Sequence, residues 1–186
     1  LYQAFQRENP EITLLITECG SLHAEKLLAR GELDLAMATL PAPPSPEFSY
    51  LRLARTQLML CVSPAHRLAN APSVDISMLR DEPLVLFGTD TAPSRAVLSL
   101  FAERQLRPNV LLYSSQLSMI QQFISDGTAA AFLLDALARR EPGLVAVPFS
   151  TPVYFDTVLL WKRGQYLYND VERFLRFAKD FHFQDI

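Results

Sequence analysis

The chain has 186 residues, of which 49% are hydrophobic, and its formal net charge is −3 at pH 7. This length and composition suffice to bury one large core or two small lobes without a metal ion or a disulfide. The slight negative charge and the lack of a basic run argue against a direct grip on nucleic-acid phosphates by this segment. No apolar stretch is long enough to span a bilayer, so no membrane partner is expected.

Residues that build catalytic or metal centres are few. Cys19 and Cys61 lie in or beside predicted strands and are expected to be buried thiols. The histidines show none of the short spacings typical of metal ligands. The sequence contains no Gly-x-Ser-x-Gly elbow and no glycine-rich phosphate loop. It therefore predicts neither an enzyme nor a cofactor.

The first third of the chain predicts a helix followed by a strand-helix-strand unit. An amphipathic helical fragment covers 1–7 and ends before Pro10, because the residue preceding a proline is driven out of the helical region. Apolar and β-branched residues predict a strand at Ile12–Thr17, a helix at Leu22–Arg30 and a second buried strand at Leu33–Ala38.

A tight turn, Gly20-Ser21, joins the first strand of this unit to its helix. In open α/β sheets, ligands gather outside the carboxyl ends of the strands. Ser21 would present a hydroxyl and free backbone N–H groups at such a position. The turn is therefore a candidate binding element.

The rest of the chain alternates between strand and helix patterns after a proline-rich loop at 41–46. Strands are predicted at 48–55, 57–63, 83–87, 109–113, 129–134, 144–149 and 153–162. Helices are predicted at 75–80, after Pro93, from Leu117 to Gly127, and around 171–178 near the end of the chain.

Two further strand-to-helix turns resemble the first in chemistry. Pro93-Ser94-Arg95 and Ser115-Gln116-Leu117 each follow a predicted strand and open a helix. The N–H groups at helix starts favour carboxylate, sulfate or phosphate oxygens. Each serine could instead cap its own helix, an interaction worth about 1 kcal/mol.

A set of motifs in fixed order resembles the effector-binding domain of LysR-type transcriptional regulators and covers nearly the whole chain. The set is Phe5, Pro10-Glu11, Glu18-x-Gly20-Ser21, Leu28-x-x-Gly31-x-Leu33-Asp34-Leu35-Ala36, Ser63-Pro64-x-His66-x-Leu68-Ala69, Leu79-x-Asp81-x-Pro83-Leu84 and Ile124-x-x-Gly127.

This resemblance implies an α/β fold of two Rossmann-like lobes joined by two crossover strands, of the periplasmic-binding-protein type II kind. Lobe I would comprise 1–62 plus 148–186, and lobe II 63–147. The family pattern also places a strand just before Leu1, and a winged helix-turn-helix ahead of that strand. Neither is in this sequence. The family favours a proline where this chain has Leu134-Asp135.

The resemblance also implies a ligand-sensing function in the cytoplasm. A small metabolite, expected to be anionic, would bind in the cleft between the lobes. DNA would be a partner only through the absent N-terminal domain, and the protein would form a homodimer or homotetramer with 1–7 as a contact element. The expected effector contacts are Gly20, Ser21, Pro93, Ser94, Arg95, Ser115, Gln116, Leu117 and Phe149.

Two other functions are compatible with this pattern. The first is a solute-binding protein of a transporter, which a signal peptide upstream would indicate. The second is a small enzyme on the same bilobal fold, such as a relative of dehydratases or deaminases. His66 could then act as a base, but no acid or nucleophile is spaced to work with it. A loop histidine bonded to backbone is the simpler interpretation.

Overall fold

The structure, a computed structural model, describes residues 1–181. Helices and strands alternate along most of the chain, with one 3-10 helix at Ile76–Leu79. The helices are α1 Tyr2–Glu8, α2 Ser21–Arg30, α3 Ala92–Glu103, α4 Leu117–Ser125, α5 Asp135–Ala138 and α6 Asn169–Asp180. The strands are β1 Ala36–Leu40, β2 Phe48–Val62, β3 Pro83–Leu86, β4 Asn109–Tyr113, β5 Ala130–Leu134, β6 Val145–Pro148 and β7 Tyr154–Lys162.

The chain divides into two compact units. Unit 1 contains Leu1–Arg55 and the chain from Asp156 onward, and unit 2 is Thr56–Phe155. Strands β2 and β7 each have residues in both units. The predicted mixed α/β fold class is confirmed, whereas the predicted lobe limits at 62 and 148 stay a prediction.

Helix α1 is held in unit 1 by an aromatic cluster. Phe5 is almost fully buried. Its ring meets Phe174 and Phe177 of α6 edge to face, with centroids 4.9 and 5.4 Å apart. Such pairs add to the free energy gained by burying apolar surface. The predicted amphipathic fragment is thus a true helix with one buried face.

In unit 1, α2 covers a pair of antiparallel strands. β1 pairs with β7, in a register that runs from Ala36 opposite Leu160 to Leu40 opposite Asp156. Gly31 ends α2 with a φ of 72°, the left-handed conformation that the sequence predicted for this glycine. The buried side chains of this layer are Ala24, Leu28, Ala36, Ala38, Leu40, Phe48, Val158 and Leu160.

The predicted strand at Ile12–Thr17 is wrong. The structure assigns no strand to residues 13–20, and Leu15 and Ile16 are 91% and 64% exposed. β-branched residues favour an extended backbone, but a strand exists only where a neighbouring strand pairs with it. Among the described residues this segment has no such neighbour.

Two other predictions of secondary structure also need correction. The strands predicted at 48–55 and 57–63 form the single strand β2, because Thr56 is β-branched and no glycine or proline interrupts the run. Helix α5 was not predicted. It begins at Asp135, where the chain departs from the family's proline.

Unit 2 is built on a mixed sheet with a core on each face. β2 pairs antiparallel with both β5 and β6, whereas β3 runs parallel to β4 and β5. Leu58 and Leu60 of β2 face one core cluster, and Met59 and Cys61 face the other. This central strand is therefore buried on both faces, as its apolar run indicated. The carboxyl ends of β3, β4 and β5 meet at one edge, where α3, α4 and α5 begin.

Candidate functional site

The turn of unit 1 leaves Ser21 only loosely held. Gly20 precedes α2 in an extended conformation, and its carbonyl accepts hydrogen bonds from the N–H groups of His23 and Ala24 at 2.9 and 3.0 Å. Ser21 Oγ lies 3.5 Å from the carbonyl oxygen of Thr39, which is at the long limit of a hydrogen bond. The hydroxyl is thus half-buried and available for a stronger partner.

The turn before α3 is fixed much more tightly. Ser94 is only 3% exposed, and its Oγ donates to the carbonyl of Phe87, at the end of β3, at 2.8 Å. Thr91 Oγ1 donates to the carbonyl of Gly88, also at 2.8 Å. Ser94 therefore attaches the start of α3 to β3.

The neighbours of Ser94 in the predicted set are more accessible. Pro93 lies in the first turn of α3 and is half-buried. Arg95 donates from Nη1 to the carbonyl of Asp90 at a long 3.4 Å. This long distance indicates that the guanidinium of Arg95 is held only weakly beside the turn.

The turn before α4 depends on Ser114, which is not among the predicted effector contacts. The N–H of Ser114 donates to the carbonyl of Leu86 at 2.9 Å, and Ser114 Oγ accepts from the N–H of Gln116 at 3.0 Å. Ser115 and Gln116 are exposed, while Leu117 packs against a core cluster of unit 2. In the sequence, the Ser114-Ser115 pair directly after β4 is the feature that could have indicated this role of Ser114.

The residues at the N-cap positions of α2, α3 and α4 are Gly20, Thr91 and Gln116, and none of them makes a side-chain capping hydrogen bond. The alternative interpretation, that each serine caps its own helix, is therefore wrong. The first N–H groups of a helix have no partner within that helix. Not every one of these positions offers a free group, because the N–H of His23 donates to the carbonyl of Gly20 and Pro93 has no N–H. The remaining N–H groups are candidates for contact with solvent or with a bound anion.

Phe149 is placed differently from the other predicted contacts. It is 5% exposed, and its ring stacks on Phe132 with a centroid distance of 5.8 Å and an interplanar angle of 11°. The structure gives it a packing role within unit 2. A ligand contact by Phe149 stays a prediction.

A carboxylate that the sequence prediction missed lies near Ser21. Asp156 pairs in register with Leu40, next to the Thr39 and Thr157 pair. Its Oδ1 is shielded from solvent and has no hydrogen-bond partner among the described residues. Its Oδ2 lies 3.8 Å from Nη1 of Arg52. No local motif marks Asp156, because its environment is formed by strand pairing.

A second polar cluster, in unit 2, contains His66. Glu82 Oε1 lies 2.7 Å from His66 Nε2, and Oε2 lies 2.7 Å from Nη2 of Arg67. The N–H of Leu68 donates to His66 Nδ1 at 3.2 Å, so Nε2 carries the proton that faces Glu82. Burial acts to raise the pKa of Glu82, but the hydrogen bonds from His66 and Arg67 outweigh it and the pKa is lowered. His66 accepts a hydrogen bond from backbone, as the simpler interpretation predicted. The expectation that no acid is placed beside it is wrong, because Glu82 is 16 residues away in the chain and contacts it in the fold.

The two cysteines differ. Cys61 is buried, as predicted, and burial raises the pKa of its thiol to about 12. Cys19 is exposed, so the prediction of a buried thiol is wrong there. It lies in the segment that lacks a pairing strand.

Within residues 1–181, no group of three or more His, Cys, Asp or Glu side chains is arranged to hold a metal ion. No helix in this range is both long and apolar enough to cross a membrane.

The helices and strands define a mixed α/β fold, and comparison with known proteins gives the family of the chain. A family model for the LysR substrate binding domain matches residues 1–182. The chain therefore belongs to the family of LysR substrate-binding domains, the effector-binding part of LysR-type transcriptional regulators. The resemblance inferred from the sequence motifs is confirmed.

Individual relatives agree with this assignment. The chain is 27% identical over 180 residues to an uncharacterized HTH-type transcriptional regulator, YwbI, of Bacillus subtilis, with 95% of this chain and 60% of that protein covered. It thus spans about 60% of the length of this relative.

Solved structures show the same fold. The regulatory domain of CcmR from Synechocystis PCC6803, in complex with 2-PG, matches with a TM-score of 0.85 and 19% identity over 96% of this chain and 87% of that chain. The effector-binding domain of QuiR, in complex with shikimate, matches with a TM-score of 0.76 and 20% identity over 95% of this chain and 86% of that chain.

Proposed function

We propose that this chain is the effector-sensing part of a transcriptional regulator and that it binds a small anionic metabolite. The observation that carries the proposal is the set of three helices that start without a side-chain cap at the carboxyl ends of strands or, for α2, beside the carboxyl end of β1. Uncapped N–H groups, together with the helix dipole, favour negative charge. The family membership makes a metabolite, rather than a structural ion, the natural occupant.

Different residues have different roles in this proposal. In unit 1, Ser21 contributes its hydroxyl and the first N–H groups of α2. In unit 2, Arg95 contributes positive charge, and Ser94 keeps α3 in place because its hydroxyl is already bound to Phe87. The proposed contacts are Gly20, Ser21, Pro93, Ser94, Arg95, Ser115, Gln116, Leu117 and Phe149.

The effector would act by binding one conformation of the domain more tightly than another, since only differential affinity shifts a conformational equilibrium. DNA would be contacted by another part of the whole protein. The match to only part of an HTH-type regulator supports this arrangement. The neighbours in complex with 2-PG and with shikimate support a small-molecule effector. We place the protein in the cytoplasm, where a regulator reaches DNA, and assign it no catalytic activity.

The protein would work as a homodimer or homotetramer, with 1–7 as one contact element. Tyr2 of α1 is 49% exposed, while the opposite face of this helix is fixed by Phe5. Tyr2→Glu should therefore shift the protein toward a monomer in sedimentation velocity without unfolding it. An unchanged sedimentation coefficient would remove α1 from the interface.

A thermal-shift screen of small carboxylates tests the effector proposal. Stabilisation of the wild-type protein should shrink in Ser21→Ala and in Ser115→Ala. Ser99→Ala is the matched control, because Ser99 is exposed on α3 away from its start, and it should respond like the wild type. Equal stabilisation of all four proteins would count against these contacts.

A further inference from the structure

Asp156 interrupts an apolar row on the face of the unit 1 sheet that α2 covers. Successive side chains of a strand alternate between faces, so Asp156, Val158 and Leu160 point the same way. Val158 and Leu160 belong to the cluster that packs under α2, and so does Leu40, the register partner of Asp156. An aliphatic side chain at position 156 would extend this core.

The carboxylate of Asp156 is poorly satisfied. Oδ1 is shielded from solvent and has no hydrogen-bond partner among the described residues. The 3.8 Å between Oδ2 and Arg52 Nη1 is too long for a hydrogen bond. Other carboxylates of the molecule are bound closely by arginine: Glu82 at 2.7 Å, Glu11 at 2.8 Å and Asp135 at 2.9 Å.

Folding does not account for a carboxylate in this environment. A shielded acceptor without a donor destabilises the folded state, whereas an apolar side chain of similar size would not. A donor from a bound molecule would satisfy Oδ1. Binding of such a molecule would explain why this position carries a carboxylate.

Asp156 is also close to a proposed effector contact. Thr39, whose carbonyl faces the Ser21 hydroxyl, pairs in register with Thr157. Asp156 is the next residue along β7, a step of about 3.3 Å. A small molecule in contact with Ser21 can therefore reach Asp156.

We propose that Asp156 is a specificity-determining residue that accepts a hydrogen bond from a hydroxyl or ammonium group of the effector. This rests on the proposed function and narrows its ligand class to hydroxy- or amino-carboxylates. The neighbouring Arg52, whose side chain is 60% exposed and whose Nη1 lies 3.8 Å from Asp156 Oδ2, near the outer limit of an ion pair, supplies a cation for the carboxylate. An effector that carries a carboxylate next to a hydroxyl or ammonium group would match Arg52 and Asp156.

Matched probes test the inference in the whole protein. Calorimetry with L-lactate against propionate, and with L-malate against succinate, should show about a five-fold or greater preference for the hydroxylated member, as expected for one added hydrogen bond. Asp156→Leu should bind both members of a pair equally. Asp34→Leu, at an exposed loop position, is the control and should keep the preference.

A second measurement does not depend on ligand. Without any probe, Asp156→Leu should unfold at a higher temperature than the wild type, because the unsatisfied acceptor is gone. A lower melting temperature would overturn the inference, since the carboxylate would then support folding. Asp156→Asn, which keeps an oxygen acceptor but loses the charge, should still prefer hydroxy acids while binding L-serine more weakly than the wild type.

The possible failures are distinct. If the wild type binds the carboxylates without regard to the hydroxyl, or if Asp156→Leu or Asp156→Asn shows a response other than the expected one, the role of Asp156 is overturned and the proposed function stands. If no probe binds the wild type, both are overturned.

Discussion

Two carboxylates, Glu82 in unit 2 and Asp156 in unit 1, show opposite ways of placing a charge in a partly buried environment. Glu82, whose side chain is 12% exposed, binds His66 and Arg67 at 2.7 Å. Asp156, whose side chain is 31% exposed, has one unpartnered oxygen and one distant arginine. A carboxylate whose partners are complete stabilises the fold, whereas one whose partners are missing is free to bind something else. The comparison contrasts a carboxylate that stabilises the fold with one that we propose binds the effector.

Loss of Glu82, the carboxylate that has both of its partners in place, should have the largest effect on stability. Glu82→Ala removes two hydrogen bonds to a charged group, one from the largely buried His66 and one from the exposed Arg67, and their loss together costs about 3 kcal/mol. Urea denaturation should show this loss in the free energy of unfolding. Glu103→Ala, at an exposed position of α3, should change it by less than about 0.5 kcal/mol. If Glu82→Ala were as stable as the control, the contrast with Asp156 would fail.

Removal of a single buried hydroxyl should have a smaller effect. Ser94→Ala leaves the carbonyl of Phe87 without its donor in a buried site, which costs about 2 kcal/mol. Ser99→Ala should leave the free energy of unfolding nearly unchanged. Ser94→Ala should also weaken binding of anionic probes at α3, because the start of this helix loses its attachment to β3.

Lowering the pH should remove the contribution of Glu82 to the free energy of unfolding. Because its folded-state pKa is lowered from the ordinary value of 4.5, its stabilising contribution is fully present above 4.5 and is lost as the pH falls through the folded-state pKa. The difference in unfolding free energy between wild type and Glu82→Gln should therefore shrink as the pH falls below about 5. A difference that is constant with pH would contradict the ion-pair role.

The exposed ion pair between α6 and the segment after α1 should matter least. Arg173 Nη1 lies 2.8 Å from Glu11 Oε1, but both side chains are well exposed, so solvent screens their attraction. Glu11→Gln, which leaves the hydrogen bond from Arg173 Nη2 to Asn9 Oδ1 in place, should change the free energy of unfolding less than Ser94→Ala does. A larger change would show that burial is not what distinguishes Glu82.

The candidate site could be predicted from sequence in part. Gly20-Ser21 stands at the start of α2 as predicted, but no strand precedes it among the described residues. Ser115-Gln116 follows β4 and precedes α4, as its local chemistry predicted. Ser94 has the same local signature, yet its hydroxyl is occupied by Phe87, which only the packing of α3 on β3 reveals. Phe149 was predicted to contact the ligand, and in the structure its ring stacks on the ring of Phe132. Asp156 had no local signal at all.

Sequence alone determined the order of most helices and strands, the left-handed end of α2 at Gly31, the burial of β2 on both faces, and the family. These follow from periodicity, glycine chemistry and ordered motifs, which act over a few residues. The tertiary structure decided which extended segments became strands and which polar groups found partners. Among residues 1–181, Ile12–Thr17 has no pairing strand and Asp156 Oδ1 has no hydrogen-bond donor, whereas Glu82 binds both His66 and Arg67. Pairing and burial are set by residues distant in the chain, so no local pattern encodes them.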